Sequence, residues 1–301
     1  TMIRRKCLEE IGGYDESLGC QDGYDLWIRF IEHYKVKNLN APLFYYRQHL
    51  ASLTRDEHHL LDTRATILER HARRLGRKLA VTAIIPIRGK PTDPSSPALK
   101  DLGGKALVDW TIAAALGADT IDNVVVTTPD DDILDHVAST WPDTVTRVRR
   151  DAGLAAVNSF LAETLRHALS TIDTPAPGCS AIMTLAIECP FRTSRHLNAA
   201  VDVMELFKTD TVIGVRPETD HFYQHKGAGL EPVRQNIHLR LEREELYREV
   251  AGLRLIRRSL LFENGGIPGG RVGHVVIDQR GALELRSSFD WVVAGHLASE
   301  T

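Results

Sequence analysis

Apolar positions change rhythm along this chain. In the first eighty residues they fall mainly at helical spacing. Between Asp22 and Tyr34, the residues Tyr24, Trp27, Ile28 and Ile31 lie on one face of an amphipathic helix. A shorter helix precedes it and should stop at Gly12-Gly13, as helices stop at glycine. The aromatic run 42–47 predicts a strand. Thr54-Arg55-Asp56-Glu57 has the form of a capping box for a helix reaching about Lys78. Leu60, Leu61, Ile67, Leu68 and Leu75 form its apolar stripe. Arg70, Arg73, Arg74, Arg77 and Lys78 crowd its last turns, where cations suit the helix dipole, and read as a solvated end.

At Leu79 the rhythm becomes that of buried strands. Residues 80–87 are almost wholly apolar, as in a strand covered on both faces. Similar runs recur at 124–126, 182–185 and 212–215, separated by helical patterns near 105–118, 130–140, 153–171 and 194–208. This alternation predicts a Rossmann-like, mostly parallel sheet of an α/β protein. It breaks after Arg216. Residues 220–257 read as shorter strands with one small helix, a protruding arm. Strands near 272–277 and 282–285 and a helix from about Ser287 close the chain, and 174–178 reads as a loop. Two domains follow: a small, mainly helical segment over 1–78 and an α/β domain over 79–301.

Composition narrows the function classes. The chain has 301 residues, 43% hydrophobic and 26% charged, which suits a globular protein. Its net charge of −3 argues against a nucleic-acid partner, which calls for a basic face. No run approaches the ~18 apolar residues of a membrane span, and no signal peptide is visible. Cys7, Cys20, Cys179 and Cys189 form no CxxC pair and read as reduced thiols of a cytoplasmic protein. Asp130, Asp131 and Asp132 either bind metal or sit at a helix N-terminus, where acids belong.

Several segments are recognisable in order. They are 84–89 (IIPIRG), 102–107 (LGGKAL), 110–116 (WTIAAAL), 124–132, Cys189-Pro190-Phe191-Arg192-Thr193, Tyr247-Arg248, the apolar run after Gly252, and Asp290. Together they resemble the CMP-sialic acid synthetase (acylneuraminate cytidylyltransferase) family over about 80–300. The resemblance implies a nucleotidyltransferase that takes CTP in the loop after the first strand. It would transfer CMP to an acidic sugar for glycan synthesis, use Mg²⁺ and form a homodimer through the arm. It assigns Arg88, Gly89 and Lys105 to nucleotide binding, with Lys90 and Lys100 as catalytic cations on the triphosphate that stand in for the family's loop lysines. Arg192 and Thr193 go to the sugar, and Glu284 to the metal. On the residues alone, Arg88, Lys90 and Lys100 also suit a solvated loop, and Arg192 a surface position.

The departures from that family fall where chemistry should occur. The loop lysine becomes Thr92, and the later Lys-Asn pair becomes Pro97-Ala98. Pro91, Pro94 and Pro97 each remove a backbone donor that a phosphate cradle would use. The paired metal aspartates become Glu284 and Arg286, the sugar-contacting glutamine becomes Ala186, and Val250 or Ala251 replaces the late asparagine. These changes point to a second reading, an inactive cytidylyltransferase-like module used for dimerisation or for scaffolding a fused glycosyltransferase.

The N-terminal residues carry a separate resemblance. Residues 4–6, 12–17, 21–29 (QDGYDLWIR) and 45–49 (YYRQH) resemble the C-terminal third of family 2 glycosyltransferases, over about 2–77. That resemblance assigns Asp22 as the base activating an acceptor hydroxyl and sets His49 near a donor diphosphate. The nucleotide-binding half that precedes such a segment in that family is not among these residues.

Overall fold

The computed structural model describes residues 2–37, 56–156, 159–172, 179–227, 229–233, 246–263 and 269–300. The expected strand at 42–47, His49, Thr54 and the 174–178 loop lie outside these. The chain divides into two compact units. One comprises Thr1–Ile67 with Arg216–Arg248, the other Leu68–Val215 with Glu249–Thr301.

The larger unit is built on a seven-stranded sheet. Its strands are β1 (Ala80–Pro86), β4 (Asn123–Thr128), β5 (Thr146–Arg149), β6 (Cys179–Leu185), β7 (Thr211–Glu218), β10 (Leu246–Arg257) and β11 (Val272–Val276). Their spatial order is β11-β7-β10-β6-β1-β4-β5. β1 lies parallel to both β4 and β6, β4 to β5, and β7 to β11, while β10 is antiparallel to β6. The C-terminal ends of β1, β4, β5 and β6 therefore open on one edge, where open α/β sheets bind ligands. The side strand pairs β2 (Asp101–Leu102) with β3 (Lys105–Ala106), and β8 (Tyr223–Lys226) with β9 (Gly229–Pro232), are both antiparallel.

The helices are α1 (Arg5–Glu10), α2 (Asp22–His33), α3 (Glu57–Leu75), α4 (Leu107–Leu116), α5 (Asp131–Thr140), α6 (Leu161–Thr171), α7 (Ser194–Phe207), α8 (Arg258–Glu263) and α9 (Ser288–Ser299). The whole run Val81–Ile85 is buried, because helices cover both sheet faces. On one face Ile84, Val125, Val148 and Ile182 pack with Ala162, Leu165 and Leu169 of α6 and Leu261 of α8. Among the described residues no helix is long and apolar enough to cross a membrane.

The structure corrects several boundaries. β5 went unread because its four residues, Thr-Arg-Val-Arg, bury only Val148. The expected 153–171 helix begins instead as a 3-10 turn over Ala152–Ala155, and α6 starts at Leu161. The expected 105–118 helix starts two residues late, since Lys105 and Ala106 pair with Leu102 and Asp101. The strand expected near 282–285 does not form, although the Leu285 amide donates to the Glu188 carbonyl at 2.9 Å. Asp130, Asp131 and Asp132 do cap and open a helix, with Asp130 Oδ1 accepting from the Asp132 amide.

Arg77 is not part of a solvated helix end. It pairs with the fully buried Asp202 of α7 at 2.9 Å. Burial pushes the Asp202 carboxyl up to about 6, against the pull of Arg77. A carboxyl raised in the folded state stabilises below its unfolded value of 3.8 and loses that contribution as pH rises through about 6. Unfolding free energy should therefore fall by roughly 2 kcal/mol from this group between about pH 4 and pH 7. Denaturant titrations across that range should show Asp202→Asn lacking this slope.

In the smaller unit, Arg29 donates to the Ile11 and Gly13 carbonyls at 2.7 Å each and pairs with the buried Asp25 at 2.8 Å. This bond set holds the turn after α1, whose Gly12 and Gly13 have φ of +86° and +72°. Arg216 pairs with Glu57 at 3.1 Å.

Candidate active site

β1 delivers Arg88 to the C-terminal edge of the sheet, and Gly89 then turns the chain in the left-handed region at φ +71°. A side chain there is excluded twice. The conformation disfavours it, and a Cβ would lie 2.3 Å from Asp130 Cβ. Asp130 is buried and caps α5, and its Oδ2 accepts from the Lys90 amide at 2.7 Å. One carboxylate thus holds both the loop after β1 and the helix after β4.

β5 brings a residue that sequence reasoning missed. Arg150 is 5% exposed and donates from Nη2 to the Ile87 carbonyl at 2.8 Å. Its Nε is buried without a partner. Burial, and then the neighbouring Arg88 guanidinium, lower Arg150 to about 10, so it stays charged at neutral pH. Among the described residues neither arginine has a carboxylate within ion-pair distance. Two adjacent guanidiniums with no counter-charge repel one another unless an anion lies between them. The available signal was the doublet Arg149-Arg150 directly after a short alternating run. Arg149 itself pairs with Asp131.

The rest of the loop is turned inward. The amides of Thr92 and Asp93 donate to the Gly89 carbonyl, that of Ser96 to Asp93, and that of Lys100 to Pro97. The Ser95 amide donates to the Asp93 carboxylate at 3.0 Å. With three prolines as well, little of the loop backbone is left to face a phosphate.

The other expected residues are placed as follows. Lys90 Nζ lies 3.3 Å from Asp132. Lys100 Nζ rests 3.7 Å over the Trp291 ring, and Lys105 Nζ 3.7 Å over Trp110. Arg192 is 2% exposed and donates to the Ala186 carbonyl at 3.1 Å. Burial lowers it to about 10, with Cys189 and Glu188 acting the other way. Thr193 opens α7, its amide donating to His196 Nδ1 at 3.2 Å, while His196 Nε2 meets Asp278 at 3.2 Å. Ala186 faces Gly252 so closely that a Cβ on the glycine would lie 2.4 Å from its own. Burial pushes the Cys189 thiol up to about 12. Asp22 is exposed in the first turn of α2, in the smaller unit. The structure therefore gathers Arg88, Gly89 and Lys90 with Arg150 at the ends of β1, β4 and β5. Arg192 and Thr193 follow β6, Glu284 lies beyond β11 next to Leu285, whose amide bonds to Glu188, and Lys100 and Lys105 are engaged by indole rings.

The Mg²⁺ that the fold family implies does not fit these residues. Glu284 Oε2 is 2.6 Å from Arg286 Nη2. Asp131 and Asp132 are paired with cations, and Asp130 accepts two backbone amides. Among the described residues no group of three metal-ligating side chains comes together.

The mostly parallel sheet and its flanking helices form an α/β fold of the nucleotidyltransferase type. Comparison with known proteins agrees. Residues 82–173, which carry Arg88, Asp130 and Arg150, match the cytidylyltransferase family model. Two 4-diphosphocytidyl-2C-methyl-D-erythritol synthase structures share the fold. The one from Anaerococcus prevotii has a TM-score of 0.55 and 14% identity, covering 73% of this chain and 96% of its own. The other has a TM-score of 0.57 and 17% identity over 73% and 98%. A CMP:2-keto-3-deoxy-manno-octonic acid synthetase complexed with CTP has a TM-score of 0.53 and 14% identity over 74% and 100%. No curated protein sequence matches the chain.

Proposed function

We propose that this chain is a divergent cytidylyltransferase that binds CTP between Arg88 and Arg150 and transfers CMP to an acidic sugar for glycan synthesis. The observation that carries this reading is the pair of guanidiniums that, among the described residues, has no carboxylate counter-charge, inside the segment matching the cytidylyltransferase family. In the transfer, an acceptor oxygen attacks the α-phosphorus of CTP and a new P–O bond forms. The bond to the bridging oxygen of the β-phosphate breaks, and pyrophosphate leaves with the electron pair. The acceptor proton passes to solvent. Arg88 and Arg150 hold the charge of the departing pyrophosphate, an electrostatic role that needs only positioned cations.

Calorimetric titration with CTP, UTP and ATP tests the reading. CTP should bind about tenfold or more tightly than the others, and pyrophosphate should be released when a suitable nonulosonic or octulosonic acid is added. No heat with any nucleotide at millimolar concentration would sink it. Selective CTP binding without pyrophosphate release across an acidic-sugar panel would favour the second reading, a binding or scaffolding module. The inward-turned loop amides support that alternative.

The arm fits self-association. Tyr223 and Leu230 are 53% and 68% exposed on a ribbon that has two strands among the described residues, a form marginal by itself in water. Phe222 and Val233 add to this apolar surface. Sedimentation should show a dimer that Leu230→Glu converts to monomer. The wild type sedimenting as a monomer would contradict this. The N-terminal resemblance makes Asp22 the base of a sugar transfer that needs further chain, and unchanged sugar transfer by Asp22→Asn in a longer protein containing this chain would refute it.

A further inference from the structure

We infer that the Glu284–Arg286 pair stands where a divalent cation would be held, so the charge there comes from a guanidinium and not from a metal. The inference rests on the nucleotide-binding reading above but is decided by a separate measurement. Residues 284 and 286 flank a tight turn, in which the Arg286 amide donates to the Glu284 carbonyl at 3.0 Å, and their side chains meet on one side. The 2.6 Å contact between Glu284 Oε2 and Arg286 Nη2 shows that they do. Two carboxylates at these positions would converge on an ion. A carboxylate and a guanidinium satisfy each other instead, and an incoming dication would meet a like charge.

Arg286 is also fixed in place. Its amide donates to Asp290 Oδ2 at 3.0 Å, and that carboxylate caps α9 by accepting from the Ser287 amide at 2.7 Å. The guanidinium is 72% exposed, and the Glu284 hydrogen bond holds its pKa above the usual value. Only part of its five-donor fork faces Glu284, which leaves donors free for phosphate oxygens. The segment is attached to the ligand-binding edge, because Leu285 donates to Glu188, three residues beyond the end of β6.

Electron paramagnetic resonance of Mn²⁺ added to the full chain, without nucleotide, tests this directly. The wild type should leave Mn²⁺ free up to millimolar concentration. Arg286→Asp should bind it at least about tenfold more tightly. Mn²⁺ binding by the wild type that Glu284→Gln abolishes would overturn the inference. CTP titration in EDTA and in Mg²⁺ is the second readout. Affinities should agree within about twofold, and Arg286→Met should weaken both by about tenfold. Wild-type binding strengthened about tenfold by Mg²⁺ would also overturn the inference. Absence of CTP binding in either buffer would defeat the nucleotide reading, and the Mn²⁺ result would still decide between guanidinium and metal.

Discussion

Gly89→Ala should destabilise the larger unit by about 3 kcal/mol or more and lower its melting temperature by roughly 6–12 °C. The effect comes from two sources. Gly89 sits at φ +71°, where an L residue is strained. The new methyl would also meet Asp130 Cβ at 2.3 Å, which is backbone-proximal and cannot swing away. Asp130 would have to leave the Lys90 amide and the Asp132 amide together, undoing the start of α5 and the turn after β1. Thermal unfolding followed by circular dichroism checks it. A melting temperature within about 2 °C of wild type would mean that the Gly89–Asp130 contact constrains nothing.

Arg150→Met should lower CTP affinity by about 100-fold while leaving stability nearly unchanged or slightly raised. A buried guanidinium with an unpartnered Nε and an adjacent like charge is costly in the free protein. Methionine removes that cost and fills the space, losing one hydrogen bond to the Ile87 carbonyl worth about 1 kcal/mol. Charge-assisted bonds to phosphate are worth about 1.5–3 kcal/mol each, and Arg150 would supply two. Arg88→Ala, at an exposed position, should reduce CTP affinity by about 10- to 100-fold and alter stability by less than about 0.5 kcal/mol. Parallel calorimetry and denaturant titration separate this from a structural role. A large loss of stability with CTP affinity retained would identify Arg150 as a core residue.

Much of the sheet was legible because buried parallel strands leave continuous apolar runs. β1, β4, β6 and β7 were readable from runs such as Ala83-Ile84-Ile85 and Val124-Val125-Val126. β5 was not, since an edge strand with one buried residue carries no such signal. The strand expected near 282–285 failed because the Leu283 and Arg286 amides close local turns onto Arg280 and Glu284, which leaves a single crossing bond from Leu285 to Glu188 and no ladder.

The candidate site was only half readable. Arg88 and Gly89 stood out through their place after an apolar run. Arg150 did not, because its importance arises from β5 lying beside β4 and bringing it to the Ile87 carbonyl. Lys100 and Lys105 looked equivalent to Arg88 as charges along the chain. Their seats on Trp291 and Trp110 depend on packing between distant segments, which spacing does not encode. Arg192 likewise reads as a surface or ligand-binding cation until burial and its bond to Ala186 are seen.

The claim that two guanidiniums form the nucleotide phosphate site is best tested by nitrogen-15 NMR of arginine-labelled protein titrated with CTP. Arg88→Lys and Arg150→Lys would assign the two side-chain Nε–H signals. CTP should shift both signals together, with that of Arg150, whose Nε is unpartnered before binding, moving further. CTP that binds and leaves both signals in place would put the nucleotide elsewhere on the protein and contradict the account.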